Sequence, residues 1–395
     1  MLVSLVQPHR VPPFIEPPPR PLLATAGARV ILGGLGQSEL TAPVRPAPDT
    51  LFGPRGVALA GDDGPLFVCD SGHHRLLVWR KAPRTDTTPA DLVFGQPDFV
   101  SEGRNAKREI GADTLNMPTA VAIDSDGVLA VADAWNHRVL IWHGLPMSAG
   151  QPPDIVLGQA DFTSGLANRG HDNPDADTLN WPYGVAIGSG KLIVTDTGNR
   201  RALVWNGLPK INGAPADLVL GQSDFQTRHE GGGIAIAAAG MRWPHAAAFD
   251  GKQLFVADAG TSRIMVWHHL PEANGALCDM VVGQPSFTGT DHNCGSYEPT
   301  ATSLNMPYGL VVKTRQLMVA DTANSRLLGY DLATLDMGGA ADRIAGQPGF
   351  HSKGENRWQR PGRDTLCWPY GVAIRGDTAV IADSGNNRVL LWDAA

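Results

Sequence analysis

The chain has 395 residues, 43% of them apolar and 18% charged, with a formal net charge of −7 and a pI near 5.9. That composition suits a soluble globular protein with ample core, and the acidic balance argues against nucleic acid as the main partner. No apolar run approaches the roughly 18 residues of a membrane helix. Residues 1–21 lack the basic start and apolar core of a secretory signal, so the expected setting is the cytoplasm, away from membranes.

In chain order, residues 1–28 read as a proline-rich arm, extended and either lying on the body of the protein or hanging free. Residues 29–395 read as one domain, because no linker interrupts the period that follows. That period is set by Pro54, Pro118, Pro182, Pro244, Pro307 and Pro369, spaced 62 to 64 residues apart. Each proline opens a unit of four short apolar runs, which in the third copy are GVAI, KLIVT, ALVW and DLVLG. Gly, Pro, Asn and Asp bound the runs, which is the punctuation of strands. An aspartate closes every second run (Asp70, Asp133, Asp196, Asp258, Asp321, Asp383), and an arginine opens every third (Arg75, Arg138, Arg201, Arg263, Arg326, Arg388). The third runs end in Trp79, Trp142, Trp205, Trp267, Tyr330 and Trp392. A four-stranded sheet with two apolar faces needs a neighbour on each side. Six in sequence therefore predict an all-β fold, a six-bladed β-propeller of antiparallel blades.

The first five units end in a Gly-Gln pair, whereas the sixth stops at Ala395 after its third strand. The run RVILGGLGQ, residues 29–37, supplies a further strand, with Gly36-Gln37 read as the missing pair. An N-terminal strand is thus expected to complete the C-terminal blade, which leaves the ring without an open edge.

Residues present in every copy serve what every blade needs, so the Asp/Arg pairs, the third-strand tryptophans and Phe99, Phe162, Phe225, Phe287 and Phe350 are expected to be structural. The connectors of about 20 residues that follow each Gly-Gln pair are mutually dissimilar. They share one face, here the top, with the Asp–Arg turns, and loops of that length suggest function. After the repeated proline stand Arg55, Thr119, Tyr183, His245, Tyr308 and Tyr370, expected to ring the top mouth of the central channel as a polar, aromatic binding site. Trp135 and Trp358 fall outside the repeated tryptophan positions and are candidate top-face anchors. Arg357 and Arg360 belong to a basic cluster in the last connector. Gly231-Gly232-Gly233 and the following IAIAAAG read as an adaptable loop or short strand. The four cysteines lack metal-type spacing. Cys278 and Cys294 could pair, but reduced thiols are expected.

Pro-x-Gly-Val-Ala, a strand ending in Asp, then x-x-Asn-x-Arg-Val resembles the NHL repeat, over about residues 30–395. The resemblance implies a propeller, and functions ranging from protein or RNA binding to peptide-amidating lyase chemistry. Those lyases hold zinc with three histidines round the channel, beside a tyrosine and an arginine. Here His245 alone occupies such a position, so no catalytic residues, metal ligands or cofactor are assigned, although zinc or calcium is left open. The expected function is a non-catalytic scaffold that binds a protein or peptide on the top face. The alternative is a lyase or hydrolase acting through Arg55, Tyr183, His245, Tyr308 and Tyr370.

Overall fold

The computed structural model describes residues 19–34, 44–233 and 237–395. Six antiparallel four-stranded sheets surround a central channel, and there is no α-helix among the described residues. In the third blade the strands run Pro182–Gly188, Lys191–Asp196, Arg201–Trp205 and Leu218–Leu220, from channel to rim. Successive side chains point to opposite faces of a strand, so each blade feeds two cores. Leu192, Val194, Leu203 and Trp205 pack against Ala130, Val139 and Ile141 of the second blade. Ile193, Ala202 and Val204 pack against Leu254, Val256 and Met265 of the fourth. Continuous apolar runs are therefore required rather than alternating ones. Burying them between blades is the dominant stabilising term, at roughly 25 cal/mol per Å² of apolar surface.

Ring closure follows the expectation. Val30–Gly33 pairs antiparallel with Arg388–Asp393, so both chain ends build the sixth blade. The register differs by three residues from the one the Gly-Gln pairs suggested. Gly33, not Gly36, stands opposite Arg388 with φ +89°, in the conformation Gly95 and Gly158 adopt at +87° and +83°. A Cβ there would come within 2.6 Å of the Asn387 carbonyl oxygen. Register is fixed by seating Ile31 and Leu32 in two different cores. Gly36 and Gln37 lie outside the described residues.

Residues 20–24 also join the ring. Arg20–Pro21 runs parallel to Arg343–Ala345, and the Leu22 N–H donates to the Ile344 carbonyl at 2.9 Å. The Trp392 indole donates to the Ala24 carbonyl at 2.8 Å. In the third blade the link between third and fourth strands makes the same two contacts: Gly213 N–H to Val156 and the Trp205 indole to Ala214. This short stretch thus replaces the link that the sixth blade lacks, and Leu22 and Leu23 are buried beneath it.

Candidate functional site

The top face rests on the Asp–Arg turns. Asp196 and Arg201 are both fully buried, with Nε 2.8 Å from Oδ2. Arg201 also donates to the carbonyls of Phe225, in the outgoing connector, and of Asp175 and Thr178, in the incoming one. Asp196 Oδ1 accepts the Asn180 N–H at 2.7 Å. One guanidinium therefore ties down two connectors, which explains its recurrence. The fourth blade departs from this: Arg263 Nε stands 3.7 Å from Asp258, and Thr261 donates to that carboxylate instead at 2.6 Å.

The connectors are less dissimilar than their sequences suggest. Each turns through at least two consecutive residues of positive φ, the first being Asn105, Asn168, Gly231, Asn293 or Asn356. Four of these five pair with a turn asparagine, as Asn199 Nδ2 does with Asn168 Oδ1 at 2.8 Å. Gly231 and Gly232, at φ +67° and +74°, are the third copy of this turn rather than an adaptable loop. Residues 234–236 of the following IAIAAAG lie outside the described residues. Much of the connector length is thus spent on architecture. The asparagine spacing of 63 residues was available in the sequence as a sign of it.

The six post-proline residues come together at the channel mouth above a cavity of about 90 Å³. Ring centroids follow one another at 4.9 Å for Tyr183–His245, 4.4 Å for His245–Tyr308 and 4.6 Å for Tyr308–Tyr370. The Arg55 guanidinium closes the circuit, 4.7 Å from the Tyr370 centroid and 5.7 Å from that of Tyr183. Thr119 is buried, its hydroxyl donating to the Tyr183 carbonyl at 2.9 Å. His245 Nδ1 lies 2.9 Å from the Trp243 carbonyl oxygen, so that nitrogen carries the proton. Burial, with a smaller contribution from Arg55, pushes the imidazole pKa down to about 4. Burial raises the Tyr308 and Tyr370 phenols. The mouth at neutral pH is one cation among neutral, polarizable rings.

Around it stands a wider crown that the sequence reading passed over. Met117, Trp181, Trp243, Met306 and Trp368 immediately precede the repeated proline. Trp181, Trp243 and Trp368 are each about half exposed (50%, 47% and 50%). Met117, Trp181, Met306 and Trp368 have φ between +49° and +55°, rare for bulky side chains. Acceptors from the preceding blade hold them there. His137 Nδ1 accepts the Trp181 N–H at 3.0 Å, and His74 Nδ1 accepts that of Met117 at 3.0 Å. Burial lowers the His137 pKa to about 4, which keeps it a neutral acceptor, and its ring stacks on Trp181. The available signal was a large apolar residue at a loop position in five of six copies. Among the described residues, the largely exposed aromatics (Phe52, Trp181, Trp243, Tyr297, Trp358 and Trp368) all lie on top.

The loop candidates are partly committed to their own connectors. Trp135 is half-buried beneath Arg104, 5.0 Å from its guanidinium carbon. Trp358 packs over Gly354 yet stays 73% exposed. Arg357 is occupied by Asp364 and the Gly346 carbonyl, and Arg363 by Asp86 and the Ala28 carbonyl, whereas Arg360 is exposed. Two cations of the expected basic cluster, Arg357 and Arg363, are therefore neutralised by carboxylates. None of the four cysteines forms a disulfide, and Cys294 alone is exposed. Among the described residues no three His, Cys, Asp or Glu side chains converge as metal ligands would.

The NHL-repeat family profile matches residues 53–79 and 115–142. No curated protein matches the chain. Among solved structures, a structural genomics protein of unknown function from Bacteroides thetaiotaomicron is similar at 12% identity, covering 93% of this chain and 75% of that one, with a TM-score of 0.52. A gluconolactonase from Xanthomonas campestris is 13% identical over 96% of this chain and 99% of that one, TM-score 0.49. The WD40 propeller domain of Doa1 is 14% identical over 93% and 96%, TM-score 0.48. Likeness at these identities concerns the fold alone.

Proposed function

We propose that this chain, a ring of NHL-type repeats built as a six-bladed β-propeller, is a non-catalytic cytoplasmic scaffold that holds another protein or a peptide on its top face. The observation that carries this reading is the crown of half-exposed tryptophans around an aromatic mouth. Tryptophan, tyrosine and arginine are the residue types that dominate interface energetics. Covering the exposed half of one indole removes roughly 100 Å² from water, worth about 2.5 kcal/mol before ordering costs. Trp358, Trp135 and Arg360 extend the surface outward. The test compares proteins retained from the native host by the wild-type chain, by Trp181→Ala/Trp368→Ala, and by Ile211→Ser/Leu277→Ser on the bottom face. Partners are expected to be lost from the first variant and kept by the second. Equal retention by both would end the proposal.

The enzyme alternative draws on one feature, the neutral His245 imidazole whose Nδ1 is tied to Trp243, leaving Nε2 to accept a proton. Stoichiometric zinc or calcium in purified protein would favour it over the scaffold.

A further inference from the structure

We infer that the channel mouth binds a single carboxylate, presented by an aspartate or glutamate of the docked partner, with Arg55 as its counter-charge. The inference rests on the docking reading above and adds the chemistry that the centre of the face selects.

Most of the buried or half-buried arginines of this ring have a carboxylate partner. Arg75, Arg138, Arg201, Arg326 and Arg388 each bond the aspartate of their own turn, and Arg169, Arg242 and Arg357 pair within connectors. Arg55 is half-buried, and among the described residues its side chain makes no hydrogen bond or ion pair, while its guanidinium lies over the faces of Tyr183 and Tyr370. Stacking fixes the plane of a guanidinium but leaves its N–H donors, which lie in that plane, unused. Arg55 is the charged group that acts on His245. Among the described residues no hydrogen bond or ion pair joins a carboxylate to the side chains of His245, Tyr308 or Tyr370, whose contacts include one another, Arg55 and the Trp243 carbonyl. An uncompensated cation in a neutral aromatic ring is a receptor for one anion.

The class of anion follows from size and charge. The cavity of about 90 Å³ admits a carboxylate but not a nucleotide. A phosphate would call for more than one cation, and His245 stays neutral. The source follows from the surroundings, since Trp181, Trp243, Trp368 and two methionines flank the mouth and would cover the neighbours of an acidic side chain. The chain's net charge of −7 disfavours an acidic run, because the long-range field repels it. The partner segment is thus one acidic residue set among apolar ones.

The test is to pan a displayed library of random linear dodecapeptides on the full chain, then synthesise the best binders with each Asp or Glu replaced by its amide. One acidic residue is expected in common. Its amide should bind about tenfold or more weakly, in line with a charge-assisted hydrogen bond. That ratio should fall to near one in Arg55→Met and be partly kept in Arg55→Lys. Should Arg55→Met fail to fold, the acid–amide comparison on wild type still decides. Peptides that need Trp181 and Trp368 but tolerate the amide would overturn carboxylate recognition and leave the docking reading standing. A library that yields no binder overturns both. Propionate that competes as strongly as the peptides do would overturn the peptide source.

Discussion

At the scale of the residue, recurrence and function separate less cleanly than the sequence suggests. The Asp–Arg pairs behave as expected of scaffold. Removing one partner of a buried pair strands the other, at about 3–5 kcal/mol. Arg201→Met is therefore expected to cost that much in chemical denaturation. Asp258→Asn should cost less than Asp196→Asn, because Arg263 sits 3.7 Å from its aspartate and Thr261 already shares the carboxylate. The histidines add a pH dependence. His137 and His245 titrate near 4 when folded, against an ordinary value of about 6.5, because burial disfavours their charged forms. The unfolded chain takes up protons first, so their contribution is complete above about 6.5 and is lost as pH falls toward 4. The melting temperature should drop between pH 7 and pH 5, and His245→Asn should flatten that drop. An unchanged slope in the variant would contradict the burial argument. Tyr183 and its five counterparts could be picked out in the sequence because they vary at a fixed register. Trp181 stands where a large apolar residue recurs in five copies, and only its half-exposure marks it as surface.

At the scale of the element, blades were legible and connectors were not. A strand announces itself in four or five consecutive apolar residues bounded by turn formers, and the aspartate that ends one strand and the arginine that starts the next mark the turn between them. A connector is organised by isolated residues: one asparagine in the left-handed region, one glutamine reaching back to carbonyls, one glycine against a leucine. Asn168 illustrates this, with φ +51° and a buried side chain bonded to Asn199. Asn168→Ala loses the paired bonds and keeps an unfavourable backbone, and is expected to cost about 2 kcal/mol. Asn168→Gly loses the bonds but not the conformation and should cost less. Urea denaturation of the two distinguishes this from a loop that tolerates either change. The Gly36-Gln37 register failed for a related reason: a two-residue signature was weighed above the packing of Ile31 and Leu32, which sets the pairing.

At the scale of the whole molecule, the ring is held shut by residues from both ends of the chain. Val30–Gly33 completes the sixth blade and residues 20–24 cap the rim of the fifth. Deleting residues 1–33 would bare Arg388–Asp393 as an open edge and uncover Leu391 and Trp392. That truncation is expected to self-associate, as size-exclusion chromatography with light scattering would report. A closed ring offers a partner two faces. The bottom carries hairpins and links, whereas the top carries the mouth, the crown and the exposed aromatics. The most direct test of that asymmetry places a photo-crosslinking benzoylphenylalanine at Trp243 on the top or at Lys252 on the bottom, in the native host. Adducts to a distinct partner are expected from position 243 and not from position 252. Adducts from position 252 alone, or equally from both, would contradict the assignment of function to the top face.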